Sequence, residues 1–386
     1  MRRSAAQRLL VLRGILGDLL KVFPAQVHRY HHSQGTYRGR TGEIQIPEEL
    51  GGIITGIFGF DTRPKRRSSF RTRVSPANGP GGSNGQTATS FPRRYNFPQM
   101  YQGIQLDGSG QNIAIIELGG GYQTSDLEAY FAEIGSPARL VSFVSVDNAG
   151  NLPGSDLNAD GEVMLDIEVV GTATPKANIV VHFAPNQGDQ GFIDAISAAI
   201  HDAERSINVI SISWGSPEPN STGQEELQEL NAYHELFVAA ASIGITVCAA
   251  TGDHGTADLD AFHWDQKIHV DHPACDDHVI ACGGTQIDAN GNDVVWNDGT
   301  PFNTYTADGG GWAGGGGISK CYAVPDYQQN ANLPVSLDGG TVLFPGCCRR
   351  GAGCNPRNEC HRRNCRWIQR RTWMGCVHRF GYAHRN

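Results

Sequence analysis

The sequence predicts an α/β protein with a mostly parallel sheet and helices on both of its faces. Strand-like apolar segments alternate with helix-like segments from residue 113 to residue 253, which is typical of parallel sheets. The 49 glycines and the low aromatic content of 8% suit an enzyme of this class with many loops. A chain of 386 residues is long enough for one large domain or two small ones.

Four strands and two long helices follow one another in this part of the chain. The strands are expected over residues 113–117, 178–183, 209–215 and 246–253, and the helices over residues 192–204 and 224–243. In parallel α/β sheets, active sites form beyond the carboxyl ends of the strands. Glu117, Trp214 and Asp253 lie at such ends, which makes them candidate site residues.

A further helix is predicted over residues 158–171, capped by Asn158 or Asp160. Glu162 and Asp166 are four residues apart, so they lie one turn apart on the same face. The residues around them are mostly apolar, so we expect this helix to be buried nearly all round. Buried carboxylates are costly unless they are paired, protonated or used in chemistry. The apolar flanks therefore argue against an ordinary solvated acidic face.

Five segments of the chain resemble the sedolisins, the serine-carboxyl peptidases, and most of all the kumamolisin group of that family. They are residues 116–121, 161–171, 211–215, 252–253 and 283–285, and the likeness extends from about residue 27 to 335. It implies a subtilisin-like fold and an endopeptidase that cleaves proteins or peptides. By the same resemblance, Glu162 is the general base for a serine nucleophile, and Asp166 hydrogen-bonds Glu162. Glu117 and Trp214 extend this network, and Asp253 donates in the oxyanion hole.

These residue types are compatible only with acid conditions. A carboxylate is a weak base, and neighbouring carboxylates cannot all ionise together, so they share protons. Asp253 can donate a hydrogen bond to an oxyanion only while it is protonated. The alternative interpretation of Asp253 is a turn residue after a strand, which its glycine neighbour also suits.

The resemblance divides the chain into five parts. Residues 1–26 are unassigned, residues 27–64 resemble the end of the family's propeptide, and residues 65–90 predict a flexible linker. The propeptide remnant is expected to hold a strand pair within residues 35–47 and a short helix within 48–58. The peptidase domain covers residues 91–340 and is expected to be incomplete, and residues 341–386 form an Arg/Cys-rich tail. We expect an extracellular, monomeric protein with its own propeptide as a partner, although no clear signal peptide is present.

The tail differs from the rest of the chain in charge and in cysteine content. Residues 1–340 carry 21 Lys and Arg and 38 Asp and Glu, whereas residues 341–386 carry ten Arg, one Glu and six of the ten cysteines. No serine follows Ser336, so the family's nucleophile motif is absent, and so is its acidic calcium loop. We interpret the tail as a frame-shifted reading of a normal C-terminus that is poorly ordered and leaves the chain inactive. A natural, unrelated tail is the alternative.

Several other features are weaker candidates for function. The glycine-rich segment 309–317 lacks the frame of a phosphate loop and resembles a substrate-cleft loop, and Ser319 after it is not the expected nucleophile. His254, His263, His269 and His272 are expected at the surface, and the tail cysteines lack zinc-ribbon spacing. We therefore expect no metal or cofactor in this chain, although a complete family member would bind calcium.

Two further function classes remain beside the peptidase. A non-catalytic, peptide-binding pseudopeptidase follows if the nucleophile is truly missing. A nucleic-acid-binding role rests only on the ten tail arginines and is disfavoured, because the body of the chain is acidic. No apolar run approaches the length of a membrane-spanning helix, so we expect no membrane association.

Overall fold

The computed structural model describes residues 2–32, 35–68, 91–136, 140–219, 224–259, 265, 267–297 and 312–329. The chain divides into two compact units, residues 1–214 and residues 215–386. Within the described ranges, no helix has the length and apolar character needed to cross a bilayer. The predicted tail, residues 341–386, lies outside the described residues.

The first unit begins with short elements that precede the main sheet. In chain order they are β1 (Arg2–Ser4), β2 (Leu9–Val11), α1 (Leu16–Val22), β3 (Gln26–His32), β4 (Gly35–Thr41), a 3-10 turn (Glu48–Leu50), β5 (Arg67–Ser68), α2 (Phe91–Arg94), β6 (Met100–Tyr101) and β7 (Ile104–Gln105). The strands pair antiparallel as β1 with β2, β3 with β4 and β6 with β7.

Two expectations for this segment were wrong. The strand pair is not contained within residues 35–47, because β4 pairs over its whole length with β3, from Gln26 opposite Thr41 to His32 opposite Gly35. The helix expected within residues 48–58 is only the single 3-10 turn Glu48–Leu50. Gly52 adopts a positive φ of 74°, which a continuing right-handed helix does not allow.

The main sheet of the first unit is parallel. Its elements are β8 (Asn112–Glu117), α3 (Thr124–Glu133), β9 (Val141–Ser145), α4 (Leu157–Ala173), β10 (Asn178–Phe183), α5 (Gln190–Ile200) and β11 (Val209–Ile212). The strand order is β11-β8-β10-β9, and every neighbouring pair is parallel. In the register of β8 with β10, Glu117 lies opposite Phe183, so both strands end at the same edge of the sheet.

The core of the first unit explains why β8 and β10 are strands of almost continuous apolar residues. Ile115 and Val181 are fully buried and pack against Phe131 of α3 and against Val163 and Ile167 of α4. A strand buried on both faces needs apolar residues at successive positions rather than at alternate ones. Each such side chain contributes about 1.5–3 kcal/mol by burial, which fixes α4 against the sheet.

The second unit contains the remaining elements, with β12 at the division between the units. They are β12 (Trp214–Pro217), α6 (Gln224–Ser242), β13 (Thr246–Ala250), β14 (Asp271–His272), β15 (Ile280–Cys282), β16 (Thr285–Ile287) and β17 (Asp293–Val295), with 3-10 turns at Gly255–Ala257 and Asp326–Gln328. β13 pairs with β15 in parallel, β12 pairs with β14 antiparallel, and β16 and β17 form a hairpin. The expected mostly parallel α/β sheet is confirmed in the described residues.

The segment that follows the propeptide-like region is held against the start of α5. Arg66 is only 5% exposed, donates to Asp189 Oδ1 at 2.9 Å and lies 5.5 Å above the Phe192 ring. Lys65 Nζ reaches Asp189 Oδ2 at 2.6 Å, and Gly188 N donates to the Arg63 carbonyl at 2.8 Å. Residues 65–68, which the sequence assigned to a flexible linker, are thus anchored, and the rest of that segment lies outside the described residues.

Candidate active site

Helix α4 (Leu157–Ala173) carries the two central carboxyl groups of the candidate site. Its N-cap is Asp156, whose carboxylate accepts hydrogen bonds from the backbone of Asn158 and Ala159. The expected caps, Asn158 and Asp160, lie inside the helix, so that expectation was wrong. Asp160 Oδ2 instead accepts from Gly154 N at 2.7 Å, which holds the loop before the helix.

The expectation that α4 is buried nearly all round was also wrong. One stripe, which includes Glu162, Val163 and Ile167, is buried against the sheet. On the opposite side, Leu165 is 43% exposed and Val169 is 54% exposed. The mean apolar character of the segment did not reveal this division, because apolar residues occupy both faces of the helix.

A glycine turn allows the end of β8 to approach the beginning of α4. Gly120 has a positive φ of 66°, and a Cβ at this position would lie 2.5 Å from the Ala159 carbonyl carbon. A Cβ at Gly121 would lie 2.4 Å from the Asn151 side-chain oxygen. Any larger residue would force the turn away from the helix, so these glycines bring the end of β8 close to α4.

Glu117 ends β8 and is completely buried. Trp214 Nε1 donates to its Oε2 at 2.8 Å, and its Oε1 has no hydrogen-bond partner among the described residues. Burial raises the pKa of Glu117 well above its ordinary value, and the charges of Asp166 and Glu162 raise it further, while the Trp214 bond opposes them. The arrangement therefore keeps Glu117 protonated to a higher pH than an exposed glutamate.

Asp166 is bound by a residue that the sequence analysis did not single out. Ser213 Oγ lies 2.9 Å from Asp166 Oδ1 and 2.8 Å from Oδ2, and it comes directly after β11. Burial raises the pKa of Asp166 to about 6, against the opposing hydrogen bond from Ser213. Ser213 stands next to Trp214 in the sequence, and its place at a strand end was the signal that could have identified it.

Glu162 is only 2% exposed and lies on the buried stripe of α4. Its charge acts on Glu117, so the three carboxyl groups of Glu117, Glu162 and Asp166 form one electrostatic group within the first unit. Such a group cannot lose all its protons together, and it titrates as a set. The hydrogen bond expected between Asp166 and Glu162 remains a prediction.

Replacing Asp166 by asparagine is expected to change how stability depends on pH. The folded-state pKa of about 6 lies above the ordinary 3.8, so the stability that this group contributes is present below about pH 4 and is lost as pH rises through 6. Relative to the wild type, the variant should therefore gain about 2 kcal/mol in unfolding free energy between about pH 3.5 and pH 7.

Urea unfolding of both proteins across this pH range measures the difference. Burial lowers the pKa of His182 to about 4, so this residue makes the protein more stable as the pH rises, which is opposite to the effect of Asp166. Both proteins contain His182, so its contribution cancels when their unfolding free energies are subtracted. Asp126→Asn, which removes a carboxyl exposed on α3, is the matched control for loss of charge. A difference between wild type and Asp166→Asn that does not vary with pH would contradict the prediction.

Asp253 belongs to the second unit, where it lies three residues beyond the end of β13 and is half-buried. Its carbonyl accepts from Ala313 N at 2.9 Å, and the Gly252 carbonyl accepts from Gly315 N at 3.0 Å. A Cβ at Gly315 would lie 1.8 Å from the Thr251 carbonyl oxygen. The described part of the glycine-rich segment thus packs directly on the backbone that presents Asp253, and this close approach accounts for its composition.

Ser319 is held in a buried arrangement in the second unit. It is 1% exposed and donates to Glu218 Oε2 at 2.6 Å, while Lys320 N donates to Glu218 Oε1 at 2.8 Å. Burial raises the pKa of Glu218 to about 7 despite these hydrogen bonds. Ser319 Oγ also accepts from the backbone of Cys321 and Tyr322, which is the pattern of a structural serine.

Two of the histidines expected at the surface are in fact buried. His269 is 2% exposed and bonds Asp265 at 2.9 Å, and His272 is 1% exposed with its ring 4.8 Å from that of Tyr233. The expectation failed because both residues come from short segments whose packing partners lie elsewhere in the chain. His254 is half-buried, and His263 and the tail cysteines lie outside the described residues.

Comparison with known proteins shows which family the chain resembles. The model of the pro-kumamolisin activation domain matches residues 1–63, which include the 26 residues left unassigned from the sequence. Kumamolisin of Bacillus sp. (strain MN-32) is 40% identical over 348 residues. The chain is similar to the sedolisin family over most of its length. Sedolisin of Pseudomonas sp. (strain 101) is 25% identical over 352 residues.

The structural comparison agrees with this resemblance. Pseudomonas sedolisin, a serine-carboxyl proteinase complexed with two molecules of pseudo-iodotyrostatin, matches with a TM-score of 0.55 and 25% identity, over 68% of this chain and 70% of the other. The expected subtilisin-like α/β fold is thus confirmed. The chain spans 59% of the length of kumamolisin and 56% of that of sedolisin, with 88% and 86% of its own length aligned.

Proposed function

We propose that the protein is the precursor of a serine-carboxyl endopeptidase that hydrolyses peptide bonds in proteins at acid pH. The observation that supports this most strongly is the group formed by Glu117, Glu162 and Asp166, in which desolvation raises the pKa values of Glu117 and Asp166 so that they keep their protons to a higher pH than exposed carboxyl groups do. Serine-carboxyl chemistry needs carboxyl groups that exchange protons close to the working pH. Kumamolisin and sedolisin, which the chain resembles, are members of this class.

Within this proposal each residue has a distinct role. Glu162 takes the proton of the attacking serine and later passes it to the leaving amine. Asp166, held by Ser213, lies one helical turn from Glu162 and supports its changes of protonation. Glu117, held by Trp214, completes the group. Asp253, in its protonated form, donates to the carbonyl oxygen as negative charge develops on it. Calcium, which complete family members are expected to bind, takes no part in these steps.

A second candidate function is a peptide-binding pseudopeptidase. The observation that favours it is the lack of any serine after Ser336 in a family whose nucleophile follows the glycine-rich loop. Under the frame-shift interpretation of the tail, the residues that prepare the base are present and the nucleophile is not. Both candidates predict an extracellular protein that binds peptides, and they differ in whether a serine-bearing C-terminal segment restores cleavage.

Two polypeptides separate these candidates. The 386-residue chain is expected to leave a denatured protein substrate intact at about pH 4. At this pH the group of three carboxyls, Glu117, Glu162 and Asp166, is partly protonated. A chimera in which residues 341–386 are replaced by the serine-bearing C-terminal segment of kumamolisin is expected to cleave it. Cleavage by the original chain would contradict the frame-shift interpretation. An inactive but folded chimera would contradict the assigned catalytic residues and favour the pseudopeptidase.

Residues 1–64 are proposed to act as the chain's own propeptide, held in place by the contacts of the adjoining Lys65 and Arg66 with Asp189. Asp189→Asn is expected to increase the rate of tryptic cleavage after Lys65 and Arg66 at least about tenfold, because it leaves a buried guanidinium without its carboxylate. Mass spectrometry of timed digests measures each site separately. Asp126→Asn serves as the control, and equal rates in the wild type and Asp189→Asn would contradict the prediction.

A further inference from the structure

Four side chains with metal-binding atoms, none of them assigned to catalysis, meet in the second unit. They are His234 of α6 and Asp276, Asp277 and His278 of the turn before β15, and one ligand atom of each lies within 4.8 Å of all the others. His234 Nδ1 lies 2.9 Å from Asp276 Oδ2 and 3.5 Å from Asp277 Oδ1. His278 Nδ1 lies 2.8 Å from the same Asp277 oxygen.

The local backbone holds these groups in position. The Asp276 side chain is completely buried, its Oδ1 accepts from His278 N at 2.8 Å, and its Oδ2 is directed at His234. The Asp277 carbonyl accepts from the Tyr327 hydroxyl at 2.9 Å. The His234, His278 and Asp277 side chains are 36%, 33% and 24% exposed, so one side of the cluster is open to solvent. An ion can therefore enter without unfolding of the turn.

We propose that His234, Asp276, Asp277 and His278 form a binding site for a divalent zinc-type cation that links α6 to the turn before β15. Two imidazole nitrogens and two carboxylate oxygens suit Zn²⁺, whereas Ca²⁺ and Mg²⁺ prefer sites made only of oxygen. Tetrahedral zinc with bonds of about 2.1 Å needs ligand atoms about 3.4 Å apart, so a separation of 4.8 Å must shorten by about 1.4 Å and the contacts of 2.8 and 2.9 Å must lengthen by about 0.5 Å.

Binding requires a change of proton position but no oxidation or reduction. Each imidazole must present a lone pair at Nδ1, so its proton lies on Nε2, and both carboxylates bind in their ionised forms. The two aspartates then balance the charge of the ion. The ordinary alternative is a network of histidine–carboxylate hydrogen bonds without an ion. The metal site and the hydrogen-bond network use the same side chains. Only the metal site predicts that adding a metal ion raises the stability of the folded protein.

The site cross-links parts of the second unit that are far apart in sequence. His234 lies in the middle of α6, and the other three ligands lie more than 40 residues later, between β14 and β15. A bound ion stabilises the folded state in proportion to the logarithm of its free concentration over its dissociation constant. The proposed role is structural, and it does not depend on whether the chain is a peptidase.

The test is a titration of the full chain with ZnCl₂ at about pH 7.5, above the ordinary pKa of an imidazole. Because the chain has 14 histidines and ten cysteines, the result is read as a difference between variants. The wild type should bind one more equivalent of zinc than His234→Ala and His278→Ala. Its thermal midpoint should rise with zinc by several degrees more than theirs. His31→Ala, which removes an exposed histidine of β3, is the matched control and should behave as the wild type.

Cobalt provides an independent spectroscopic readout. Co²⁺ in a tetrahedral site of mixed nitrogen and oxygen ligands should give visible absorption bands that both histidine variants lose. If an alanine variant fails to fold by circular dichroism, Asp277→Asn replaces it, with an expected loss of at least about tenfold in affinity. Equal zinc stoichiometry in the wild type and the folded variants would overturn the proposal. So would a zinc-induced thermal shift that His234→Ala and His278→Ala retain.

Discussion

Replacing Glu162 by glutamine is expected to lower kcat of the kumamolisin-completed chimera by about 10²–10⁴-fold, the usual contribution of a general base. Glutamine has nearly the same shape as glutamate and can accept a hydrogen bond, but it cannot take up the proton of the attacking serine. The buried position of Glu162 on α4 makes replacement of its function by water improbable. The measurement is the rate of cleavage of a denatured protein at acid pH.

The same helix provides the control for this experiment. Glu168→Gln makes the identical chemical change on α4 at a half-buried residue outside the three-carboxyl group, and it should leave kcat within about twofold. Thermal unfolding of each variant shows whether the fold is kept. Full activity of a folded Glu162→Gln chimera would show that Glu162 is not the base.

Replacing Asp253 by alanine in the same chimera is expected to lower kcat by about 10²–10³-fold, the typical cost of losing one oxyanion donor. Asp253→Asn should lose less than Asp253→Ala, because an amide N–H can still donate, although from a different geometry. KM should change little, because this hydrogen bond strengthens mainly in the transition state. Steady-state kinetics on a short peptide substrate separates the two parameters.

The control for Asp253 lies in the same unit. Asp288→Ala removes a half-buried carboxylate, which accepts from Asn290 N and Asn292 N, from the turn between β16 and β17 and should leave kcat unchanged if the variant remains folded. An equal loss of kcat in Asp253→Ala and Asp288→Ala would mean that removing any carboxylate from this unit lowers kcat, and that Asp253 has no specific role. The oxyanion assignment would also fail if Asp253→Ala raised KM and left kcat as it is in the parent chimera.

Several elements could be predicted from the sequence because local pattern determines them. The strand over 178–183 has the predicted limits, and α4 extends the predicted segment by one residue at its start and two at its end. Strands buried on both faces and helices with few breaking residues carry a strong signal of this kind. Glu117 ends β8 as predicted, whereas Trp214 begins β12 instead of ending the strand expected over residues 209–215, and the structure joins the two residues by a hydrogen bond.

Other features depend on contacts that no local pattern records. The exposure of Leu165 and Val169 depends on which side of α4 meets the sheet, and apolar residues on both sides left that choice open. The pairing of β3 with β4 placed a strand before residue 35, where the sequence had given none. His234 and His278 were missed because they are 44 residues apart and meet only in the folded unit.

While the chain is intact, the attachment of Lys65 and Arg66 to Asp189 does not depend on protein concentration. While the chain is intact, the propeptide-like segment and α5 belong to one molecule, so their contact forms at an effective concentration that is typically on the order of millimolar. Dilution of the intact protein cannot weaken it. A cut in the chain after residue 68 would turn the same contact into a two-molecule equilibrium, in which dilution favours release. Cleavage would therefore be the step that makes dissociation depend on dilution.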